Sequence, residues 1–299
     1  MDDPLYIGLR QNRITGKEYD EFMDEFMDAV VARYGWNCLV QFEDFASHNA
    51  YRFLDKYRDN YCMFNDDIQG TAAVALAGVL ASLRVTGTKL EENRILFVGA
   101  GQAACGIADL ISLALSRSAK ISFEQACEKV FMYDVDGLLV NGRAEGQLDG
   151  PKNKYAKSNM TPTRDLVNAI EQVKPTILIG ATGAGKIFSA QALRKMADLN
   201  ERPLIFALSN PTSKAECTAE EAYVNTDGRC VFSSGSPFAP VDYKGKTYYP
   251  GQGNNAYIFP GIALATIVSA SRHIEDEVFL IAAEVSYFQS CNFCFRYKP

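Results

Sequence analysis

The chain contains little histidine, no excess of positive charge and no long uninterrupted hydrophobic run. Only His48 and His273 are histidines among 299 residues, which excludes a histidine-rich zinc site and leaves oxygen or sulfur ligands for any metal. Lysine and arginine number 30 against 36 aspartates and glutamates, so the net charge is −6. Such a charge does not steer a protein toward a phosphate backbone or an anionic membrane, and we expect neither a nucleic-acid partner nor membrane attachment.

The most apolar run, residues 68–83, is short for a membrane span and rich in small residues. It predicts a helix packed on all sides inside the protein. The first residues lack the basic segment and apolar core of a signal peptide. The eight cysteines are scattered, mostly beside apolar residues, and are expected to be buried free thiols in a reducing compartment. Cys291 and Cys294 form an isolated CxxC that we do not expect to bind a metal.

Hydrophobic residues make up 47% and charged residues 22%, as in a soluble protein with a core, and the length allows one large α/β domain or two smaller ones. From residue 93 onward, apolar strands alternate with helical segments. The predicted strands are 94–98, 129–133, 176–179 and 204–208, and the predicted helices are 106–115, 163–173 and one after Ser189. Continuous apolar strands separated by helices indicate a doubly wound parallel sheet covered on both faces.

The segment before this sheet predicts a helical N-terminal flank. Helices are expected at 17–34 and 47–58, the second capped by Ser47, with short strands at 38–42 and 61–64.

A dinucleotide-binding pattern follows the first strand of the predicted sheet. Gly99-Ala-Gly101-Gln-Ala-Ala104 fits G-x-G-x-x-A and opens a helix, which is the required context. In this pattern Gly99 permits the tight turn, Gly101 lets a pyrophosphate approach, and Ala104 allows close helix packing. The second strand ends at Asp134, where a carboxylate would meet the adenosine ribose. A glycine turn without a ligand remains the alternative.

A second glycine stretch, residues 180–186, nearly matches the phosphate-loop pattern GxxxxGK[ST]. The last position is Ile187, so the hydroxyl that would bind Mg²⁺ is absent. We interpret the stretch as a loop at the carboxyl end of a strand, lining the cofactor crevice rather than binding a nucleoside triphosphate.

Two pairs of acids each follow a short apolar strand. Glu43-Asp44 and Asp66-Asp67 would meet at one edge if the two strands are parallel neighbours. Four carboxylates in a cleft repel one another, and a divalent cation such as Mg²⁺ or Mn²⁺ removes that conflict. Ordinary acidic turns at helix starts are an equally good explanation from the residues alone.

Asparagines follow two further predicted strands or turns. Asn210 precedes Pro211, and Asn254 and Asn255 lie just before a helix expected near Pro260. Carboxamides at strand ends can hydrogen-bond the carboxylate or hydroxyl of a small substrate, although asparagine is also common in plain turns.

Taken together, five motifs closely resemble the malic enzyme family. They occur in the family's order and span about residues 4–285. The motifs begin at Gln41 (QFEDF), Phe64 (FNDDIQGT), Gly99 (GAGQAA), Phe206 (FALSNPTS) and Tyr249 (YPGQGNN). The resemblance implies a Rossmann-like dinucleotide domain and the oxidative decarboxylation of L-malate to pyruvate and CO₂, with NAD⁺ or NADP⁺ and a divalent metal.

The resemblance also implies residue roles. The metal would be held by Glu43, Asp44 and Asp67, with Asp66 beside them tuning the catalytic base. Substrate would be held by Asn210 and Asn254, with Asn255 close by. The dinucleotide would be held by Gly99, Gly101, Ala104 and Asp134, with Gly183 to Gly185 on its other side.

The match departs from the family at both ends. The family begins with a domain that supplies a general-base lysine, a general-acid tyrosine and a substrate-binding arginine, and those motifs are not found here. The pattern also fades after Val285, as in a truncated or alternatively spliced product. We therefore expect a remnant of the substrate and metal side at 1–66, a dinucleotide domain at 67–285 and a divergent tail at 286–299. The alternative to an active enzyme is a catalytically incomplete module that binds NAD and metal, alone or paired with full-length subunits.

The acids at the end of the second strand bear on the choice of cofactor. Asp134 and Asp136 would repel a 2′-phosphate and favour NAD⁺. A cation that reaches that phosphate would favour NADP⁺, and the candidates are Arg164, Lys152, Lys154 and Lys157. NAD⁺ is the expectation. The resemblance further implies a location in the mitochondrial matrix or cytoplasm. The family is usually homo-oligomeric, and the oligomeric state of this chain is left open.

Overall fold

The computed structural model describes residues 3–290, apart from 145, 147 and 149. The α-helices are α1 Lys17–Tyr34, α2 Ser47–Tyr57, α3 Thr71–Thr86, α4 Gln102–Ala119, α5 Phe123–Cys127, α6 Leu166–Val173, α7 Ala190–Leu199, α8 Ala219–Asn225, α9 Phe259–Ser269 and α10 Asp276–Ser290. The strands are β1 Val40–Phe42, β2 Met63–Asn65, β3 Ile95–Val98, β4 Val130–Asp134, β5 Gly137–Leu138, β6 Ile177–Gly180, β7 Leu204–Ala207, β8 Val231–Ser234, β9 Val241–Tyr243, β10 Lys246–Tyr248 and β11 Gly251–Gln252. A π-helical turn, Asp66–Gly70, leads into α3.

A seven-stranded sheet has the order β11-β8-β7-β6-β3-β4-β5. All neighbouring pairs are parallel except β4 and β5, which are antiparallel at the edge. The chain builds outward from β3 to β4 and then continues from β6 on the other side of β3, so the strand order reverses between β3 and β6. In doubly wound sheets the ligand crevice opens at the carboxyl ends of the strands at such a reversal.

Both faces of this sheet are buried, as its continuous apolar strands predict. Along β3, Ile95 and Phe97 face a core that also contains α3, α4 and α10. Leu96 and Val98 face the opposite core, which is covered by α6, α7 and α8. The prediction of a doubly wound α/β fold is therefore confirmed, and the antiparallel β5 is an addition to it.

A third core lies in the N-terminal flank, where α1 and α2 pack on a separate two-stranded sheet. Phe42, Phe53 and Tyr57 make close aromatic contacts at its centre. The predicted helices at 17–34 and 47–58 are confirmed to within one residue. Ser47 is the first residue of α2 rather than its cap, since the N-cap position is Ala46 and carries no side-chain hydrogen bond.

The helical segment Asp66–Thr86 is long and apolar enough to cross a membrane by length and composition. In the structure, 72% of its most apolar window is buried, and α3 packs against α4 and α10. This arrangement is that of a core helix, as the small residues of the sequence predict.

The described cysteines are free thiols, and all but the half-buried Cys38 are buried. Cys291 and Cys294 lie outside the described residues. The structure also contains elements that the sequence did not predict, among them strands β5, β8 and β11, the antiparallel hairpin β9-β10 and helices α5, α8 and α10. The helix expected near Pro260 is α9.

Candidate active site

The two acid pairs lie at one edge of the small sheet. Strands β1 and β2 are parallel, with Phe42 opposite Asn65, so the residues that follow each strand leave the sheet side by side. Carboxylate oxygens of Glu43, Asp44 and Asp67 all lie within 4.8 Å of one another. We call these three residues and Asp66 the acidic edge. The geometry expected for parallel neighbours is confirmed.

Hydrogen bonds from one backbone N–H and one glutamine side chain hold the acidic edge together despite its charge. The N–H of Asp44 donates to Oδ2 of Asp67 at 2.7 Å. Asp44 adopts a φ of 59°, a left-handed conformation that aspartate tolerates better than most residues. Gln41 donates from Nε2 to Oε2 of Glu43 at 3.1 Å. The bond from Asp44 joins the ends of β1 and β2, and the bond from Gln41 orients the carboxylate of Glu43.

Asp66 is the buried member of the acidic edge, with 1% of its surface exposed. Its Oδ2 accepts a hydrogen bond from Nδ2 of Asn255 at 2.8 Å, whereas its buried Oδ1 has no partner. Burial raises the pKa of Asp66 to about 8, and the negative charges of Glu43 and Asp67 add to the rise. A Cβ at Gly70 would overlap Oδ1 of Asp66, so only glycine fits beside this carboxylate.

No lysine or arginine pairs with the acidic edge in the part of the chain that the structure describes. Burial also raises the pKa of Asp67, against the hydrogen bond from Asp44, and the nearby acids contribute to the rise. Three carboxylates with oxygens within 4.8 Å of one another, and the buried unpartnered oxygen of Asp66, form a set of hard donors that fits Mg²⁺ or Mn²⁺.

The dinucleotide pattern occupies the turn between β3 and α4, next to the strand-order reversal. Gly99 has a φ of 103°, and a Cβ there would overlap the carbonyl of Ala181 in the loop after β6. The space around Gly101 is open, since nothing lies within 4 Å of the position a Cβ would take. Ala104 is fully buried. The turn therefore has one crowded glycine, one open glycine and a packed alanine, as the fingerprint requires.

The acidic edge and the dinucleotide turn are neighbours. A Cβ at Gly106 in α4 would lie 2.8 Å from Cγ2 of Ile68, so the π-helical turn packs closely on the helix that begins at the glycine pattern. Tyr51 of α2 donates its hydroxyl to the carbonyl of Gln102 at 3.2 Å. A metal at the acidic edge and a dinucleotide on α4 would thus share one region of the molecule.

Asp134 lies at the end of β4, as predicted, but its carboxylate is already bonded. Arg143 donates to both oxygens, at 2.9 and 2.7 Å, and Lys152 lies 3.1 Å from Oδ2. Burial alone would raise the pKa of Asp134, and the two cations outweigh it and hold the pKa below its usual range. The role of Asp134 toward the ribose stays a prediction.

The other cations considered for a 2′-phosphate also have partners. Arg164 pairs with Asp136 at 2.9 Å, and Lys154 pairs with Asp109 at 2.6 Å. Lys157 is buried and donates to a backbone carbonyl at 2.8 Å. Of these cations, Lys152 and Arg164 lie nearest the end of β4 through their bonds to Asp134 and Asp136.

The loop after β6 contains Gly183 and Gly185. The N–H of Gly183 donates to Oγ of Ser209 at 2.9 Å, and a Cβ at Gly185 would lie 2.7 Å from the carbonyl of Ser213. An amide that is bonded within the protein does not cradle a phosphate. The structure thus supports a loop that forms a wall of the crevice, rather than one whose backbone N–H groups bind a phosphate.

This loop also contacts Glu216, a residue that sequence reasoning missed. Glu216 is fully buried and accepts hydrogen bonds from Thr182 and Ser209. The sequence offered one sign of its burial, since Glu216 stands between two small apolar residues, Ala215 and Cys217. Both of these residues are buried in the structure.

The three predicted asparagines differ in whether they bond to distant segments or within their own turn. Asn255 contacts Asp66 across 189 residues of sequence. Asn210 accepts from Ser236 at 2.6 Å. Asn254 caps a short helical turn, accepting from the N–H of Ala256 at 3.0 Å, and its amide donates to the carbonyl of Gly235 at 3.4 Å.

Comparison with known proteins identifies the family. The family model "Malic enzyme, NAD binding domain" matches residues 68–289, and "Malic enzyme, N-terminal domain" matches residues 1–58. The NADP-dependent malic enzyme of Sus scrofa is 55% identical over 286 residues, which cover 95% of this chain and 51% of that protein. The mitochondrial NADP-dependent malic enzyme of Homo sapiens is 53% identical over 285 residues, covering 95% and 46%.

A solved structure agrees with these sequence matches. The Entamoeba histolytica malic enzyme superposes with a TM-score of 0.69 at 25% identity, covering 88% of this chain and 49% of that chain. The chain spans about half the length of the curated relatives it matches. The converging acids, the dinucleotide turn and these matches agree, and the chain belongs to the malic enzyme family.

Proposed function

We propose that this chain acts in the oxidative decarboxylation of L-malate to pyruvate and CO₂, with a nicotinamide dinucleotide and a divalent metal. The observation that carries the proposal is the convergence of Glu43, Asp44 and Asp67 beside the helix that begins at the dinucleotide turn. A hydride acceptor and a metal site in one region match a reaction that first oxidises a hydroxy acid and then releases CO₂.

The proposed metal ligands are Glu43, Asp44 and Asp67. When bound, Mg²⁺ or Mn²⁺ supplies Lewis-acid stabilisation of the charge that develops as CO₂ leaves, and the dinucleotide accepts the hydride. The N–H of Asp44 holds the Asp67 carboxylate in place, so the ligand set is preorganised before the metal arrives.

Asp66 is proposed to tune the catalytic base rather than to bind the metal. Asn255 fixes one of its oxygens and leaves the other without a partner in a buried position. Because burial raises its pKa to about 8, Asp66 can hold a proton near neutral pH beside the proposed metal ligands.

For the substrate, Asn210 is the best placed of the predicted asparagines. Its Oδ1 is used by Ser236, whereas its amide nitrogen donates to no residue that the structure describes. A carboxamide N–H of this kind can donate to the carboxylate of malate. Asn254 and Asn255 contribute as proposed neighbours, the second through Asp66.

We further propose that the chain accepts NADP⁺. Asp134 and Asp136 favour NAD⁺ by their charge, but Arg143 and Lys152 pair with the first and Arg164 pairs with the second. The negative charge of both acids is therefore balanced by cations, which removes the repulsion expected for a 2′-phosphate. The relatives reported above are named NADP-dependent.

The test is the formation of reduced dinucleotide by the purified chain with L-malate and Mn²⁺, run with NAD⁺ and NADP⁺ and with EDTA as control. We expect metal-dependent turnover that is faster with NADP⁺. An Asp67→Asn variant should lose the rate while keeping dinucleotide binding. Binding of metal and dinucleotide without any turnover would instead support the incomplete module, and the absence of both kinds of binding would contradict the proposal.

A further inference from the structure

Glu216 is a buried carboxylate with no cation beside it in the described part of the chain. Its Oε1 accepts the N–H of Thr182 at 2.9 Å and the hydroxyl of Ser209, and its Oε2 accepts the N–H of Ser209 at 3.3 Å. The hydroxyl of Thr182 also lies 2.9 Å from Oε1. A buried charge without a counter-ion is tolerated only when several donors surround it, and this carboxylate has that arrangement.

The absence of a side chain at Gly180 leaves space for the carboxylate of Glu216. A Cβ at Gly180, the last residue of β6, would overlap the side chain of Glu216. The glycine therefore allows Glu216 to lie directly under the start of the loop that lines the crevice.

The carboxylate of Glu216 determines how the hydroxyl of Ser209 forms its hydrogen bonds. A serine hydroxyl has one proton, and in this structure it is directed to Glu216. The lone pairs of Ser209 Oγ are then free to accept the N–H groups of Thr182, at 3.1 Å, and Gly183, at 2.9 Å. The carboxylate thus orients the hydroxyl, and the hydroxyl holds the loop.

We propose that Glu216 is a positioning residue for the dinucleotide. It holds the loop after β6 against the segment after β7, and the carbonyl of Ala181 in that loop packs on Gly99 of the dinucleotide turn. The two walls of the crevice are therefore in contact through a network that depends on one buried carboxylate. The inference rests on the proposed function, in that the crevice must take a dinucleotide.

The experiment compares the full chain with its Glu216→Gln variant. Glutamine keeps the size and one acceptor oxygen, but it removes the charge and turns an NH₂ group toward the N–H of Ser209. We expect NADPH, followed by its fluorescence on binding, to bind roughly tenfold more weakly, the effect of losing one or two hydrogen bonds. Affinity for Mn²⁺ at the acidic edge should stay unchanged, which a general loss of structure would not allow.

The matched control is Glu221→Gln. Glu221 accepts the N–H of Thr218 at 2.8 Å in an exposed helix cap, so it has a similar bond without the buried network. This variant should bind NADPH like the wild type. Equal binding by Glu216→Gln and wild type would overturn the inference and leave the proposed function standing. If the wild type itself binds no NADPH, both fail.

A second variant covers the case in which Glu216→Gln does not fold. Ser209→Ala removes the hydroxyl between Glu216 and Gly183 while leaving the bond from the N–H of Thr182 to the carboxylate. It should also weaken NADPH binding without changing Mn²⁺ affinity. Wild-type affinity in a folded Ser209→Ala protein would overturn the inference.

Discussion

Two groups of carboxylates near the proposed active site differ in how their charge is balanced. At the acidic edge, Glu43, Asp44 and Asp67 lie within 4.8 Å of one another with no lysine or arginine paired to them among the described residues. At the end of β4, Asp134 is bonded to both Arg143 and Lys152. Burial and the neighbouring acids raise the pKa of Asp67, whereas Arg143 and Lys152 overcome the effect of burial and hold the pKa of Asp134 below its usual range.

The comparison distinguishes a carboxylate whose charge is balanced by cations of the same chain from carboxylates whose charge is balanced only when a cation binds. Asp134 is compensated inside the chain, so its ion pairs belong to the folded structure whether or not a ligand is bound. The acidic edge is uncompensated, so it opposes folding until a cation arrives from solution. Uncompensated like charges in a preorganised cluster are therefore the better indicator of a metal site.

The largest expected effect comes from breaking the compensated pair. Arg143→Met leaves Asp134 in a buried site with Lys152 alone, and should lower the free energy of unfolding by about 3–5 kcal/mol. Chemical denaturation measures this change. Arg164→Gln is the matched control, because it removes an exposed pair with Asp136 and should cost about 1 kcal/mol or less. Equal losses in the two variants would contradict the distinction.

The next effect concerns the uncompensated group. Asp67→Asn keeps an oxygen that accepts from Asp44 but removes one negative charge, and should weaken Mn²⁺ binding by on the order of 100-fold. Electron paramagnetic resonance of free Mn²⁺ gives the affinity. The melting temperature of the metal-free variant should rise, because like-charge repulsion is relieved. A variant that binds Mn²⁺ as tightly as wild type would show that Asp67 is no ligand.

The smallest effect, taken over a change of one pH unit, is a dependence of stability on pH. The pKa of Asp66 is about 8 in the folded chain and near 4 when unfolded, so the folded state binds the extra proton. The free energy of unfolding of metal-free protein should therefore fall as pH rises from about 4 to 8, by at most about 1.4 kcal/mol per pH unit. Asp134 has the opposite sign, and its contribution is lost only as pH falls below about 4.

Carbon-13 NMR of labelled aspartate distinguishes these two titrations. Asp66→Asn should remove the signal that titrates near pH 8 and flatten the stability curve in that range. A curve that stays as steep in this variant would assign the dependence to another group.

Much of the fold follows from local patterns. Strands β3, β4, β6 and β7 are continuous apolar runs, and such runs specify a buried parallel sheet before any contact is known. Residues that follow neighbouring parallel strands must emerge together, which is why the acidic edge could be predicted. Strand β5 has two residues and β11 has two, too few for a pattern, and both form only by pairing with a longer strand.

The candidate site was predictable where its members follow strands and not where they meet across the chain. A boundary near residue 66 and the roles given to individual site residues stay predictions. The partners of Asp134 could not be foreseen, since Arg143 lies in the turn after β5 and Lys152 in a later polar segment. The residues between Arg143 and Lys152 show neither helical nor strand periodicity. The sequence therefore does not indicate which way these two side chains point.

The sequence alone determined the four central strands of the sheet, the dinucleotide turn and the presence of two acid pairs at strand ends, because periodicity and turn chemistry are local properties. Only the tertiary structure decided which charges are balanced. It placed Arg143 on Asp134, Asn255 on Asp66 and Glu216 under the crevice loop. The energy of a charge depends on burial and on neighbours within a few ångströms, and distant segments supply those neighbours only after folding.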